Sequence, residues 1–169
     1  MSLYEYERTG DAQKLIGLLK RSDNAEVRRR AADALGRLED HDDRDDIINA
    51  LVTVADDDDS DGVVAAAIDA LDEQGQDALE KLMTTMASVD IEDGAADWVK
   101  AKAFVRALDA DIPELRMAAA NALGELDESD AVPQLTEAFS DSDPRVRARA
   151  ARATGKIGDP RATNPLESL

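Results

Sequence analysis

Carboxylates are the residues in this chain most able to do chemistry. Asp57, Asp59, Asp61 and Gly62 spell the first half of a calcium loop, D-x-D-x-D-G, in which alternate carboxylates ligate the ion and glycine makes the sharp turn. The loop's closing position requires a bidentate glutamate, and here it is Ile68, an apolar residue inside a predicted helix. The run therefore reads as an acidic inter-helix loop with Asp61 as helix N-cap, attracting cations loosely, and no metal site is expected. With 38 Asp and Glu in 169 residues, two acids lie near each other almost anywhere, so paired-acid catalysis has no support. His41, the single histidine, stands between Asp40 and Asp42 at a predicted helix junction and reads as an exposed loop residue. Absence of cysteine removes disulfides, thiolate nucleophiles and Cys-ligated zinc. Phosphate loops, dinucleotide turns and nucleophile elbows are missing, so no catalytic residue and no cofactor is expected.

The cations come in two groups. Arg28, Arg29 and Arg30 lack neighbouring aromatics, and a chain of net charge −18 is a poor phosphate binder, so nucleic acid is not an expected partner. Arg145, Arg147, Arg149, Arg152, Lys156 and Arg161 form a stronger cluster, suited to an acidic protein or simply to a solvated terminal helix. Trp98 falls near the stripe of Phe104 and Leu108 and is expected to pack.

The elements that must carry these residues are helices. Thirty alanines against five aromatics favour closely packed helices over a sheet core. Four segments superpose without gaps, starting at Val27, Val63, Leu115 and Val146. Apolar residues recur at offsets of zero, four, seven and eight, one stripe of a helix: Ala31, Ala34 and Leu35 in the first copy, Ala119, Ala122 and Leu123 in the third. Nine residues on stand Gly36, Asp72, Gly124 and Gly155, where glycine is expected to end the helix in a left-handed turn. Pro113 and Pro144 suit the first helical turn. A second helix type, apolar at offsets of zero, three and seven, alternates with the first. Its copies are Ala12/Leu15/Leu19, Ile48/Leu51/Ala55, Leu79/Leu82/Met86, Ala101/Phe104/Leu108, Val132/Leu135/Phe139 and Ala162/Pro165/Leu169. One first-type helix is missing between Met86 and Ala101, leaving an irregular link near residues 88–94. Met1-Ser-Leu3 belongs to no repeat and is expected to be a cloning remnant.

The segments 113–124 and 143–155, with the link through Ala131-Val-Pro-Gln-Leu and the restart Gly158-Asp-Pro-Arg-Ala, resemble the short HEAT-like repeats of the phycobilisome (bilin) lyase family. The resemblance implies an all-α, right-handed α-α superhelix, an α-solenoid of about five hairpins with one incomplete, formed by residues 1–169 as one domain. It also implies a ladder in which Arg28, Arg116 and Arg147 reach Asp23, Asp111 or Asp143. The excess of Asp over Glu and of Arg over Lys resembles proteins of salt-loving organisms, a halophilic archaeon being the expected source.

The function expected is a non-catalytic scaffold or adaptor for protein–protein interaction in the cytoplasm. The alternative that the resemblance carries is a factor attaching or detaching a bilin chromophore. Iron hydroxylases built on HEAT-like repeats hold metal with His-Glu pairs, which one histidine followed by Asp42 cannot supply. No apolar run reaches the length of a membrane span. A protein partner is expected on the polar offsets of the second-type helices: Asn49, Thr53, Lys81, Thr84, Lys102, Gln134 and Glu137. End-to-end self-association is expected at the face of Ala150, Ala153 and Ile157, left poorly covered after Leu169.

Overall fold

A computed structural model describes residues 2–39, 42–86 and 96–160. His41, the link 88–94, Arg161 and the last predicted helix lie outside them. The chain divides into two compact units, residues 1–82 and 83–169. Among the described residues there are ten α-helices, no strand, and no helix long and apolar enough to cross a membrane.

In the first unit α1 (Leu3–Thr9) precedes the hairpin of α2 (Ala12–Arg21) and α3 (Ala25–Gly36). A second hairpin follows, α4 (Arg44–Asp57) with α5 (Asp61–Gln74), and α6 (Gln76–Met86) begins beyond it. First-type helices α3 and α5 pack side by side, as do second-type helices α2 and α4, giving two layers. The interior is the stripe residues Leu15, Leu19, Leu35, Leu51 and Leu71, all fully buried. In the second unit α7 (Asp97–Ala107) pairs with α8 (Pro113–Leu126). α9 (Val132–Glu137), flanked by 3-10 turns at Ser129–Ala131 and Ala138–Ser140, pairs with α10 (Pro144–Ile157), and α10 packs on α8.

α1 is the helix that the repeat pattern hides. Ser2 caps it, its backbone N–H donating to Glu5 Oε2 at 2.7 Å, and Gly10 ends it at φ 67°. That short Ser-x-x-Glu signal starts at Ser2, inside the Met1-Ser-Leu3 segment expected to be a cloning remnant, and ends beyond it at Glu5.

The recurrent glycines make no left-handed turn. Gly36 is the last residue of α3, Gly124 and Gly155 lie inside α8 and α10, and positive φ occurs instead at Gly10, Gly75, Gly158 and Asp127. Gly36 and Gly124 are instead points of close helix approach. A Cβ on Gly36 would stand 2.8 Å from Ala70 Cα and 2.9 Å from Ala70 Cβ on α5. One on Gly124 would stand 3.0 Å from both Cα and Cβ of Ala153 on α10. Absence of a side chain, rather than backbone freedom, is what the position supplies. Ser60, not Asp61, is the N-cap of α5.

Candidate functional site

The arginine ladder joins hairpins within each unit. Arg28 Nε and Nη2 donate to Asp58 Oδ2 and Oδ1 at 2.8 and 3.0 Å, Nη2 also reaches Asp59, and Nη1 donates to the Ser22 carbonyl at 2.9 Å. Arg116 repeats this on Asp141 at 2.8 and 3.0 Å, with Nη1 on the Ala110 carbonyl at 2.8 Å. The carboxylate acceptor is thus the aspartate opening the following hairpin's loop; Asp111, which precedes the arginine's own helix, accepts from Arg116 Nη1 through its backbone carbonyl alone, at 3.1 Å, and Asp23 takes no part in the fork. Each aspartate also accepts a backbone N–H two residues on, Ser60 at 2.9 Å and Asp143 at 2.9 Å, so loop and arginine fix each other. Burial alone would raise the Asp58 and Asp141 carboxyls, but the arginine forks and those N–H donors outweigh it and hold both below the usual carboxylate range. Arg147 keeps only the carbonyl half of the motif, donating to Asp141 O at 2.7 Å.

The rest of the basic cluster is partly consumed. Arg145 bonds Asp143 at 2.9 Å and Glu114 at 3.3 Å, and Lys156 contacts Glu125. Arg149 and Arg152 make no ion pair among the described residues. The half calcium loop is likewise engaged: Asp58 and Asp59 hold Arg28, Asp57 ends α4, and Ile68 is buried in α5. Among the described residues no three acids or histidines are placed to share a metal.

Each of the seven polar positions on second-type helices is found on α4, α6, α7 or α9. In the first unit Lys81 Nζ contacts Asn49 Oδ1, and Thr53 Oγ1 donates to the Asn49 carbonyl at 2.8 Å, so these three form one patch. Thr84 is half-buried near the end of α6. In the second unit Lys102 and Gln134 line one groove of about 510 Å³ between α7 and the 128–134 segment. Gln134 and Glu137 line a smaller one of about 140 Å³ beside Asp141.

One expectation fails here. Trp98 is 56% exposed rather than packed, because it stands on the face of α7 that carries Lys102 and Arg106 and lines an open groove, away from the buried Phe104. Ala150 packs with Ala138, Phe139 and Val146, Ala153 lies against Gly124 of α8, and Ile157 is half-buried.

Helical hairpins with one face per layer, small residues at helix crossings and an arginine rung between successive loops define an α-helical repeat protein. A family model for HEAT repeats matches residues 12–98 and 101–169, and the chain belongs to that family. A HEAT repeat-containing taxis protein of Halobacterium salinarum is 45% identical over 166 residues, covering 98% of this chain and 39% of that protein. The chain thus spans well under half of that relative's length. Among solved structures, an engineered protein aligns with TM-score 0.53 at 21% identity over 94% of this chain and 67% of its own. YibA of Escherichia coli aligns with TM-score 0.52 at 18% identity over 98% and 78%. Both share the all-α repeat fold.

Proposed function

We propose that this chain is a non-catalytic scaffold or adaptor that binds a protein partner in the cytoplasm, through the polar face of its second-type helices. The observation that carries the reading is that Lys102 and Gln134, on successive second-type helices, flank one open groove, while Arg28 and Arg116 of the first-type helices are spent on the loops that follow. Family membership supports it, because HEAT repeats expose large surfaces of stacked helices without a built-in reaction centre. The name of the halobacterial relative points to taxis as the process served.

The test is capture from native lysate at high salt, with partners identified by mass spectrometry. Converting Asn49, Lys81, Lys102 and Gln134 together to alanine should abolish capture while helicity is retained. Converting Asp56 and Asp57 to asparagine should leave it intact; Asp58 and Asp59 are spared in that control because they hold Arg28. The opposite pattern refutes the polar-face reading. Adding a bilin and finding a new visible absorbance band would instead favour the chromophore-factor alternative.

A further inference from the structure

The groove of the second unit has a charge arrangement that selects one kind of occupant, an inference that rests on the scaffold reading above. Trp98, Lys102 and Arg106 succeed one another at steps of four along α7 and so share one face. Trp98 is the chain's single tryptophan, and its exposure is unusual for the side chain with most apolar area to bury. Lys102 Nζ stands 4.8 Å from the ring centroid, a cation–π contact that sets the indole against the groove. Arg106, in a chain with almost twice as many acids as bases, makes no ion pair among the described residues. On the facing wall Glu128 and Asp130 likewise make no ion pair among the described residues. Ala101, Val105 and Ala131 supply the apolar lining between the walls, and Gln134 adds an amide.

Cations on one wall and carboxylates on the other, too far apart to satisfy each other, leave both sets available. An occupant that covers them must bring the opposite sign to each wall, or it strips water from charges without replacing it. A phosphate backbone or an anionic membrane brings one sign only and meets Glu128 and Asp130 unfavourably. A helix is the form whose charges match best. Lys102 and Arg106 are separated by one α-helical step of four, about 6 Å along the axis, and a second helix repeats its side chains at the same interval. A cleft of about 510 Å³ is also within the size range of specific binding sites.

We infer that this groove docks an amphipathic helix of a partner protein. One flank of that helix carries carboxylates at i and i+4 for Lys102 and Arg106, the other carries lysine or arginine for Glu128 and Asp130, and an aliphatic stripe between them lies on Trp98 and Val105. The mode is helix-in-groove recognition, with charge setting the orientation.

Trp98 is its own reporter. The probe is a blocked peptide of three tandem Ala-Glu-Leu-Lys copies, which places Glu, Leu and Lys on successive stripes and contains no tryptophan. Titrated into the full chain, it should give a saturable blue shift of Trp98 emission. Arg106→Glu, Asp130→Lys, and the peptide with Gln in place of Glu should each weaken binding by about fivefold or more, which is about 1 kcal/mol. All the altered side chains are exposed, and circular dichroism confirms that the variants fold. Absence of a saturable shift at about 1 mM peptide, or a shift that none of the three changes weakens, overturns the inference. If the chain captures a partner from lysate and Arg106→Glu leaves that capture intact while the peptide is silent, the groove falls and the scaffold stands. If the peptide binds as described but no partner is captured, the scaffold falls and the groove stands.

Discussion

Replacing Gly36 by alanine isolates the packing role of the recurrent glycine from its helix propensity. The new methyl would lie 2.8–2.9 Å from the Cα and Cβ of Ala70, where no side-chain rotation relieves the clash; only Glu73 Oε2, at 2.7 Å, can swing away. Overpacking of this kind costs about 1–3 kcal/mol. Alanine returns about 0.8–1 kcal/mol in helix propensity, so the net loss falls between about zero and 2 kcal/mol. Gly17, inside α2 of the same unit, has nothing within 4 Å, and Gly17→Ala should express the propensity gain alone. The difference between the two variants is then an upper bound on the overpacking cost, because Gly36, the last residue of α3, gains less helix propensity than Gly17 within α2. In the second unit Gly124→Ala, with Ala153 at 3.0 Å, and Gly155→Ala, with nothing within 4 Å, form the matching pair with a smaller difference. Urea denaturation followed at constant salt measures all four. Gly36→Ala and Gly17→Ala shifting stability by the same amount and sign would refute the close-approach assignment.

Arg116→Ala should cost about 1.5–3 kcal/mol, the range for hydrogen bonds to a charged group, since it strands Asp141, whose side chain is 12% exposed. Arg147→Ala should cost less, because it forfeits only bonds to the Asp141 and Ser142 carbonyls; equal losses in urea titrations would refute the rung geometry. Asp143 is held at about 2 by Arg145 and by the N-cap N–H of the same residue. That folded value is depressed, so its contribution is complete above the unfolded value of 3.8 and is lost as pH falls through about 2. Arg145→Ala should move the carbon NMR titration midpoint of the Asp143 carboxyl upward, and a midpoint that stays put refutes the cause. A chain of net charge −18 should melt at substantially higher temperature in 2 M than in 0.1 M KCl (roughly 2 Å against 10 Å Debye length), and a flat or falling melting curve would show that self-repulsion is not limiting.

Helix type, order and core were legible because the apolar stripes are periodic and long. Every first-type stripe beginning at Val27, Val63, Leu115 or Val146 is a helix, with Pro113 and Pro144 opening α8 and α10. What sequence misassigned were features decided by a neighbouring hairpin. Gly36 was read as a helix terminator because a lone helix gives it no other reason to exist; the reason is Ala70, thirty-four residues on. Arg28 was paired with the nearby Asp23, but its fork points across the hairpin boundary to Asp58. Spacing along the sequence sets Trp98 by the stripe of Phe104 and Leu108, while the structure sets it with Lys102 and Arg106. The groove itself was half visible: Lys102 and Gln134 were singled out as free polar offsets, whereas Trp98 and Arg106 were hidden by expectations about aromatic burial and isolated charge.

Aligned columns explain more once the close approaches are known. α3 and α8 each receive a further first-type helix, and each presents an arginine one residue after the first apolar column, alanine at the fifth and glycine at the ninth: Arg28, Ala32, Gly36 and Arg116, Ala120, Gly124. In α5 the same places are Val64, Ile68 and Asp72, which remove the fork, fill the crossing and put a charge where helices would touch. α5 is also the last first-type helix of its unit, where the repeat omits the next one. The apolar stripe at offsets of zero, four, seven and eight is the same in both kinds of helix, so it cannot be what decides stacking. It makes a hairpin fold, and the arginine, alanine and glycine columns decide whether another hairpin can be laid against it. On this basis α5, alone among the described first-type helices, lacks the three side chains on which a further hairpin is laid in α3 and α8.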